Sequence, residues 1–264
     1  MLTAVKNQMR VSRLSIRYAL QREMLNKVTF FSNIFFMILN NASFIIQWIV
    51  LFSLRSNIGG YGLRQVLLMW GLASGTFGVS RFFFKDAFTL SDTINTGKLD
   101  TFLIQPKNVL LSCITASVEV SALGDILYAI IMLFVYGFTI KTAALYTLFC
   151  ITGGFVMTSV AIITASLSFW FGRSDMISDL ANRLMVNFAT YPDGIFKTAV
   201  RVFFYTIIPI GFSVFIPIRV ISEFSMIHFL IVIGVTLFFV CFAFYLFQKG
   251  LKRYSSSNLM NVRM

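Results

Sequence analysis

Six blocks of about twenty mostly apolar residues fill this chain, and its basic residues collect on one side of them. A helix needs about 20 such residues, at 1.5 Å each, to cross the roughly 30 Å hydrocarbon core of a bilayer. Lipid offers the backbone no hydrogen bonds, so blocks of this length fold as helices and the expected fold is all-α. They run near Val28–Leu54, Val66–Phe84, Val109–Phe138, Ala143–Phe171, Val200–Ile221 and Met226–Phe247. Only short loops join them, so residues 1–264 read as a single membrane domain with six crossings.

Composition agrees. Of the residues, 58% are hydrophobic and 12% charged, about half the charged fraction of a soluble domain. The net charge of +12 does not point to nucleic acid, because no basic residues interleave with aromatics on a soluble module. It follows instead the rule that Lys and Arg gather in cytoplasmic loops. Six basic residues (Lys6, Arg10, Arg13, Arg17, Arg22, Lys27) precede the first block, a longer charged stretch than a cleaved secretory signal has. With Arg81, Lys85, Lys98, Lys107, Arg173 and the C-terminal basic residues, fifteen basic residues fall on one side, against Arg55, Arg64 and Lys141 on the other. Both termini are therefore expected in the cytoplasm, in a multi-pass protein. Cys113, Cys150 and Cys241 lie inside apolar blocks without metal-ligand spacing and read as small buried residues.

Residues 8–26 have the pattern of an interfacial helix. Arg10, Arg13 and Arg17 share one face, and Val11, Leu14, Tyr18 and Leu25 form the adjoining apolar stripe. Such a helix lies flat on the lipid surface with its cations toward anionic headgroups, or serves simply as a topology anchor. Residues 174–190 admit two readings. Asp175, Asp179, Arg183 and Asn187 recur every four residues. The segment is either a cytoplasmic amphipathic helix, with 200–221 as the fifth span, or the fifth span itself. In the second case 195–222, interrupted by Pro209, Gly211 and Pro217, becomes a hairpin that dips into the membrane and returns.

Catalytic chemistry finds little support. The chain has one histidine, His228, and no metal-ligand cluster can be built around it. No G-x-S-x-G elbow occurs, and Gly97-Lys98 is followed by Leu99 rather than the hydroxyl residue of a nucleotide-binding loop. Neither a catalytic residue nor a cofactor bound by this chain is expected. The loop after the second block is the most informative local stretch. Ile94, Leu99, Phe102, Leu103 and Ile104 are too apolar for a bare tether, while Gly97 and Pro106 can each end a short helix. A short helix with an apolar edge suits docking into a partner's groove or folding back onto the protein itself.

The run Ile94-Asn95-Thr96-Gly97-Lys98-Leu99-Asp100 through Leu103-Ile104-Gln105-Pro106 resembles the segment G-x-L-D-x-x-L-x-x-P of ABC-2-type permeases, in particular the viologen-exporter-like or multidrug-export branch. Tyr191-Pro192-Asp193-Gly194, then Ile208-Pro209-Ile210-Gly211-Phe212 and Pro217, resemble the branch's Y-P … I-P-x-x-F … P stretch. The ending Gly250-Leu251-Lys252-Arg253-Tyr254-Ser255-Ser256 is similar to its usual C-terminus. The resemblance implies a bacterial cytoplasmic membrane and, in it, the membrane subunit of an ATP-driven exporter of an amphipathic substrate such as a drug, peptide or lipid. It implies that ATP and Mg²⁺ are bound by a separate ATPase chain, and that a second permease chain, identical or sister, completes the path. It also implies that 86–106 is the coupling segment, with Ile94, Gly97, Leu99, Asp100, Phe102, Leu103 and Pro106 as its docking residues. Residues 8–26 become the connecting helix, and 195–222 becomes an external re-entrant hairpin bearing Pro209 and Pro217, entered through Tyr191 and Pro192. A stand-alone channel, a secondary transporter and a membrane-embedded enzyme are the alternatives.

Within the blocks, Asn33, Asn40 and Gln47 lie seven residues apart on one stripe, expected to face protein or a translocation path, as are Asp179 and Arg183. Gly71 with Gly75, and Ser74 with Gly78, predict close helix packing. Glu119 and Asp125 are charges at membrane depth, with Arg81 and Lys85 as candidate partners.

Overall fold

The computed structural model describes residues 2–255, with side chains from Lys6 onward, so Ser256 and Arg263 lie outside the described residues. Helices follow in the order α1 (Leu2–Glu23), α2 (Lys27–Leu54), α3 (Leu63–Phe84), α4 (Leu90–Asn95), α5 (Asp100–Leu103), α6 (Val109–Ile114), α7 (Ser121–Tyr136), α8 (Ile140–Ser166), α9 (Ser168–Phe171), α10 (Asp175–Ala189), α11 (Thr198–Thr206), α12 (Ile216–Ser222) and α13 (Met226–Leu251). Two 3₁₀ turns, Lys85–Thr89 and Asp193–Ile195, and a π-helical turn at Gly211–Phe215 join some of them. Among the described residues the only β-type pairing is an isolated bridge between Ile58 and Tyr61.

Local chemistry sets several boundaries. Asn26 caps α2 by accepting from the Thr29 N–H at 3.1 Å, and Thr139 caps α8 by accepting from Thr142 N–H at 3.1 Å. Gln65 reaches back to the Gly62 N–H at 3.0 Å at the start of α3. By length and composition, four helical stretches can each cross a membrane: Lys27–Leu54, Leu63–Asn95, Ile140–Phe171 and Met226–Leu251. α7 is a shorter apolar helix.

Cross-links at the two ends of the bundle show which way each helix runs. At the near end, Gln8 of α1 accepts from the Asn108 N–H and donates to Ser112, Arg81 pairs with Glu119, and Ser91 bonds Ser168, Ser174 and Asp175. Tyr254, beyond α13, donates to Asp100 at the same end. At the far end, Tyr61 donates to Asp193, Gln65 donates to Ser222, and Lys141 sits over the Phe224 ring. Helices α2, α3, α7, α8, α10 and α13 therefore each run from one end of the bundle to the other.

Two blocks differ from their sequence reading. The block Val109–Phe138 is not one helix: α6 ends at Ile114 and α7 begins at Ser121. The break carries the polar Thr115, Ser117 and Glu119, and Asp86 binds it by accepting from both the N–H and the hydroxyl of Ser117 at 2.6 and 2.8 Å. The block Val200–Ile221 is broken as well. α11 and the helical stretch Gly211–Ser222 meet at 85°. Pro209 has no N–H to continue the first helix, and a Cβ on Gly211 would meet the Tyr205 ring at 2.3 Å, so only glycine allows this fold-back. Both ends of the broken segment lie at the far end, and Ser213 at its turn comes within 3.1 Å of where a Cβ on Gly153, midway along α8, would stand.

The core is assembled by close helix approach. Cβ atoms on Gly71 and Gly75 of α3 would lie 2.5 Å from Met132 Cβ and 2.6 Å from Cys150 Sγ, so α3 packs on α7 and α8 nearly backbone to backbone. Thirteen residues of α3 are buried, whereas α2 buries only Phe30, Asn41 and Trp48.

Candidate functional site

A cavity of about 380 Å³ lies between α2, α3, α7, α8, α10 and the turn of the broken segment. Its walls mix aromatic and sulfur-bearing side chains (Phe44, Trp70, Phe77, Met157, Met185) with Ser74, Thr76, Asn41 and Asp125. Phe44 and Trp70 stack with ring centroids 4.8 Å apart. Asp125, only 3% exposed, ties three helices together: Asn41 of α2 donates to its Oδ1 at 2.7 Å, and Ser74 of α3 donates to the same oxygen at 3.1 Å. No partner reaches Asp125 Oδ2, Trp70 Nε1 or Thr76 Oγ1 among the described residues.

Of the predicted polar stripes, Asn40 and Asn187 line this cavity, while Asn33, Gln47, Asp179 and Arg183 do not. Asn33, Asn40 and Gln47 are all exposed along α2, as are Asp179, Arg183 and Asn187 along α10. Each stripe thus reaches the cavity rim through one residue. The inward position next to that stripe belongs to Asn41, which sequence reading passed over. Its signal was the spacing of Asn41 to Trp48, seven residues apart, one step round the helix from Asn40 and Gln47. Glu119 pairs with Arg81 at 3.4 Å, as the charges suggest, while Asp125 bonds amide and hydroxyl groups rather than a cation. Lys85 donates instead to the Val118 carbonyl. The Arg81 guanidinium also lies 4.0 Å over the Phe88 ring.

At the far end a clasp closes the broken segment onto the α2–α3 turn. The buried carboxylate of Asp193 accepts from Tyr61 at 2.9 Å, from Tyr205 at 3.3 Å and from the Arg219 guanidinium. Arg201 donates to the carbonyls of Asp193 and Gly194. Burial raises the Tyr61 phenol above its ordinary pKa, with Arg219 opposing and Asp193 adding to the rise, so Tyr61 acts as a neutral donor. The approach is tight enough that a Cβ on Gly194 would fall 1.8 Å from the Gly59 carbonyl oxygen. Tyr191 packs edge-on to Trp48, and Pro192, Pro209 and Pro217 are buried around the clasp and turn.

At the near end the loop after α3 divides its apolar residues between inside and outside. Ile94 and Leu99 are buried in the protein's own core, Phe102 is half-buried, and Leu103 and Ile104 stand exposed, Ile104 at 87%. Gly97 turns the chain at φ +75°, a conformation that costs other residues strain. Asp100 is held by Tyr254 at 2.9 Å, and Pro106 is exposed. Beside this loop α1 presents Arg10, Arg13 and Arg17 to the outside, and a groove bordered by Tyr18, Arg22, Phe102 and Gln105 runs between the two. No group of three or more His, Cys, Asp or Glu able to hold a metal occurs among the described residues.

An all-helical protein with several membrane-length helices, an amphipathic helix and an apolar loop at one end, and a polar-rimmed open cleft has the parts of a multi-pass membrane transporter. A sequence model described as ABC-2 family transporter protein matches residues 36–258, and the chain belongs to that family. It is thus a membrane component of an ABC transporter, in a family that usually works with an ABC ATPase partner. No curated protein and no solved structure matches the chain significantly.

Proposed function

We propose that this chain is the permease subunit of an ATP-driven exporter in a bacterial cytoplasmic membrane, with both termini in the cytoplasm. The near end faces the cytoplasm and docks the ATPase, which carries ATP and Mg²⁺. The observation that carries the reading is the exposed step Leu103–Ile104, on a loop whose other apolar residues are anchored in the core. An anchored loop transmits force, whereas a free tether would not. Closure of the ATPases pushes on 86–106 and on α1, and the helices bonded to them rearrange between inward- and outward-open states. Residues 195–222 form the external re-entrant hairpin, which agrees with both of its ends lying at the far end.

Exposed polar side chains along α2 and α10 are costly in lipid. They are accounted for when a second permease chain, identical or sister, covers Asn33, Asn40, Gln47, Asp179 and Arg183 and encloses the path between the two copies. The substrate is an amphipathic molecule that enters by the rim formed there.

The experiment is co-purification with candidate ABC ATPases of the same organism, co-expressed with this chain. Burying an aliphatic side chain is worth about 1.5–3 kcal/mol, so Leu103→Ala with Ile104→Ala should lower ATPase recovery about tenfold or more without affecting membrane insertion. Unchanged recovery would move the docking surface elsewhere. Robust ATP hydrolysis by the purified chain alone would sink the subunit reading.

A further inference from the structure

Among the residues lining the central cavity, Asp125 is the only carboxylate and none is basic. Arg81, two turns along α3 from Ser74, is held by Glu119 and by the Phe88 ring. Asp125 thus sits 3% exposed with both of its donors, Asn41 and Ser74, on one oxygen and none on the other. A buried carboxylate lacking a donor is costly, and such groups in native structures call for an explanation. Two further lining residues, Trp70 and Thr76, are in the same condition: the indole N–H and the hydroxyl are buried without partners. Three of the seven unpartnered buried polar atoms among the described residues thus belong to residues lining one cavity, whose wall also carries aromatic, thioether, aliphatic and amide side chains. A volume of about 380 Å³ lies within the range of small-molecule sites.

We propose that this cavity binds amphipathic amines, the protonated nitrogen donating an N–H to Asp125 Oδ2 while Phe44, Trp70 and Phe77 hold the apolar body. The nitrogen must carry a hydrogen, because what Asp125 lacks is a donor, and charge alone does not supply one. Aromatic faces add attraction for the cation. The assignment deepens the permease reading and rests on it, since it makes the cavity a station on the substrate path.

The test is fluorescence titration of the full chain in lipid nanodiscs with three forms of one probe: dansylcadaverine, its N-acetyl derivative, which is neutral, and its trimethylammonium derivative, which is charged but has no N–H on that nitrogen. The wild-type chain should bind dansylcadaverine at least about tenfold more tightly than either derivative, the loss expected for one charge-assisted hydrogen bond. Asp125→Asn should bring all three to the same weak affinity. Equal binding of dansylcadaverine by wild type and D125N, or trimethylammonium binding as tight as the primary amine, overturns the proposal. Should D125N fail to fold, Asn40→Trp with Asn187→Trp decides. Both positions are exposed at the rim. This pair should abolish dansylcadaverine binding, and unchanged binding overturns the site. The permease reading fails separately: selective binding at Asp125 without ATP-driven movement of the probe in vesicles carrying chain and ATPase would leave the site standing and remove its role in export.

Discussion

Three donors converge on the carboxylate of Asp193, one from the α2–α3 turn (Tyr61), one from α11 (Tyr205) and one from α12 (Arg219). Asp193 is buried while the Arg219 side chain is 56% exposed, so the carboxylate depends on the pair more than the guanidinium does. Arg219→Met should therefore destabilise the chain by about 1–3 kcal/mol, less than for a fully buried pair because water screens the exposed partner. Adding Asp193→Asn should recover part of that loss, since an amide tolerates the site without a cation. A double-mutant cycle on denaturant unfolding in detergent should give a coupling of roughly 1 kcal/mol or more. Strictly additive losses would mean the clasp is only an exposed ion pair. Much of this chemistry is hidden in sequence. Asp193 is visible there only as part of Tyr191-Pro192-Asp193-Gly194, because its three partners come from positions 12, 26 and 132 residues away. The same holds for Asp125: its charge at membrane depth is plain from the sequence, but its tie to Asn41 spans 84 residues.

Among the helices, α3 is the element whose sequence shows its role most directly. The pairs Gly71 with Gly75 and Ser74 with Gly78 predict close packing, and the approach of α7 and α8 at the three glycines leaves no room for a side chain. Gly75→Leu should therefore cost about 1–3 kcal/mol through overpacking against Ala129 and Cys150. Gly234→Ala in α13, where nothing lies within 4 Å of the added Cβ, should be neutral or slightly stabilising. Thermal unfolding of the two variants checks the contrast, and similar losses in both would show that space is not what selects glycine in α3. The third hydrophobic block is the opposite case. Averaged hydropathy runs through residues 115–120 because Val118 and Val120 offset Thr115, Ser117 and Glu119. The partner that binds the interruption, Asp86, lies 31 residues earlier, and no local window contains it.

At the scale of the molecule, the order of loops along the bundle is what hydropathy and charge describe best. The stretch after α8 is where they fall short. α10 has 15 residues and a polar stripe, so by composition alone it is a poorer crossing than 200–221. Yet it is α10 that carries the chain from Ser91 and Asp175 at the near end to Tyr61 and Asp193 at the far end. Lys197 and Arg201 then fall on the side that carries few basic residues. Arg201 is engaged there with backbone carbonyls, which a local charge count does not register. Impermeant thiol labelling of intact cells tests the resulting topology, with Cys113, Cys150 and Cys241 first replaced. Asp193 is a poor probe position because it is buried in the clasp, whereas Lys197 and Asp92 are both exposed. Lys197→Cys should react on intact cells, and Asp92→Cys only after the cells are opened. If both behave alike, the two ends of the bundle do not face opposite sides of the membrane as proposed. Residues 195–222 could not then be an external hairpin, and α10 would have to be read as a surface helix despite joining the two ends of the fold.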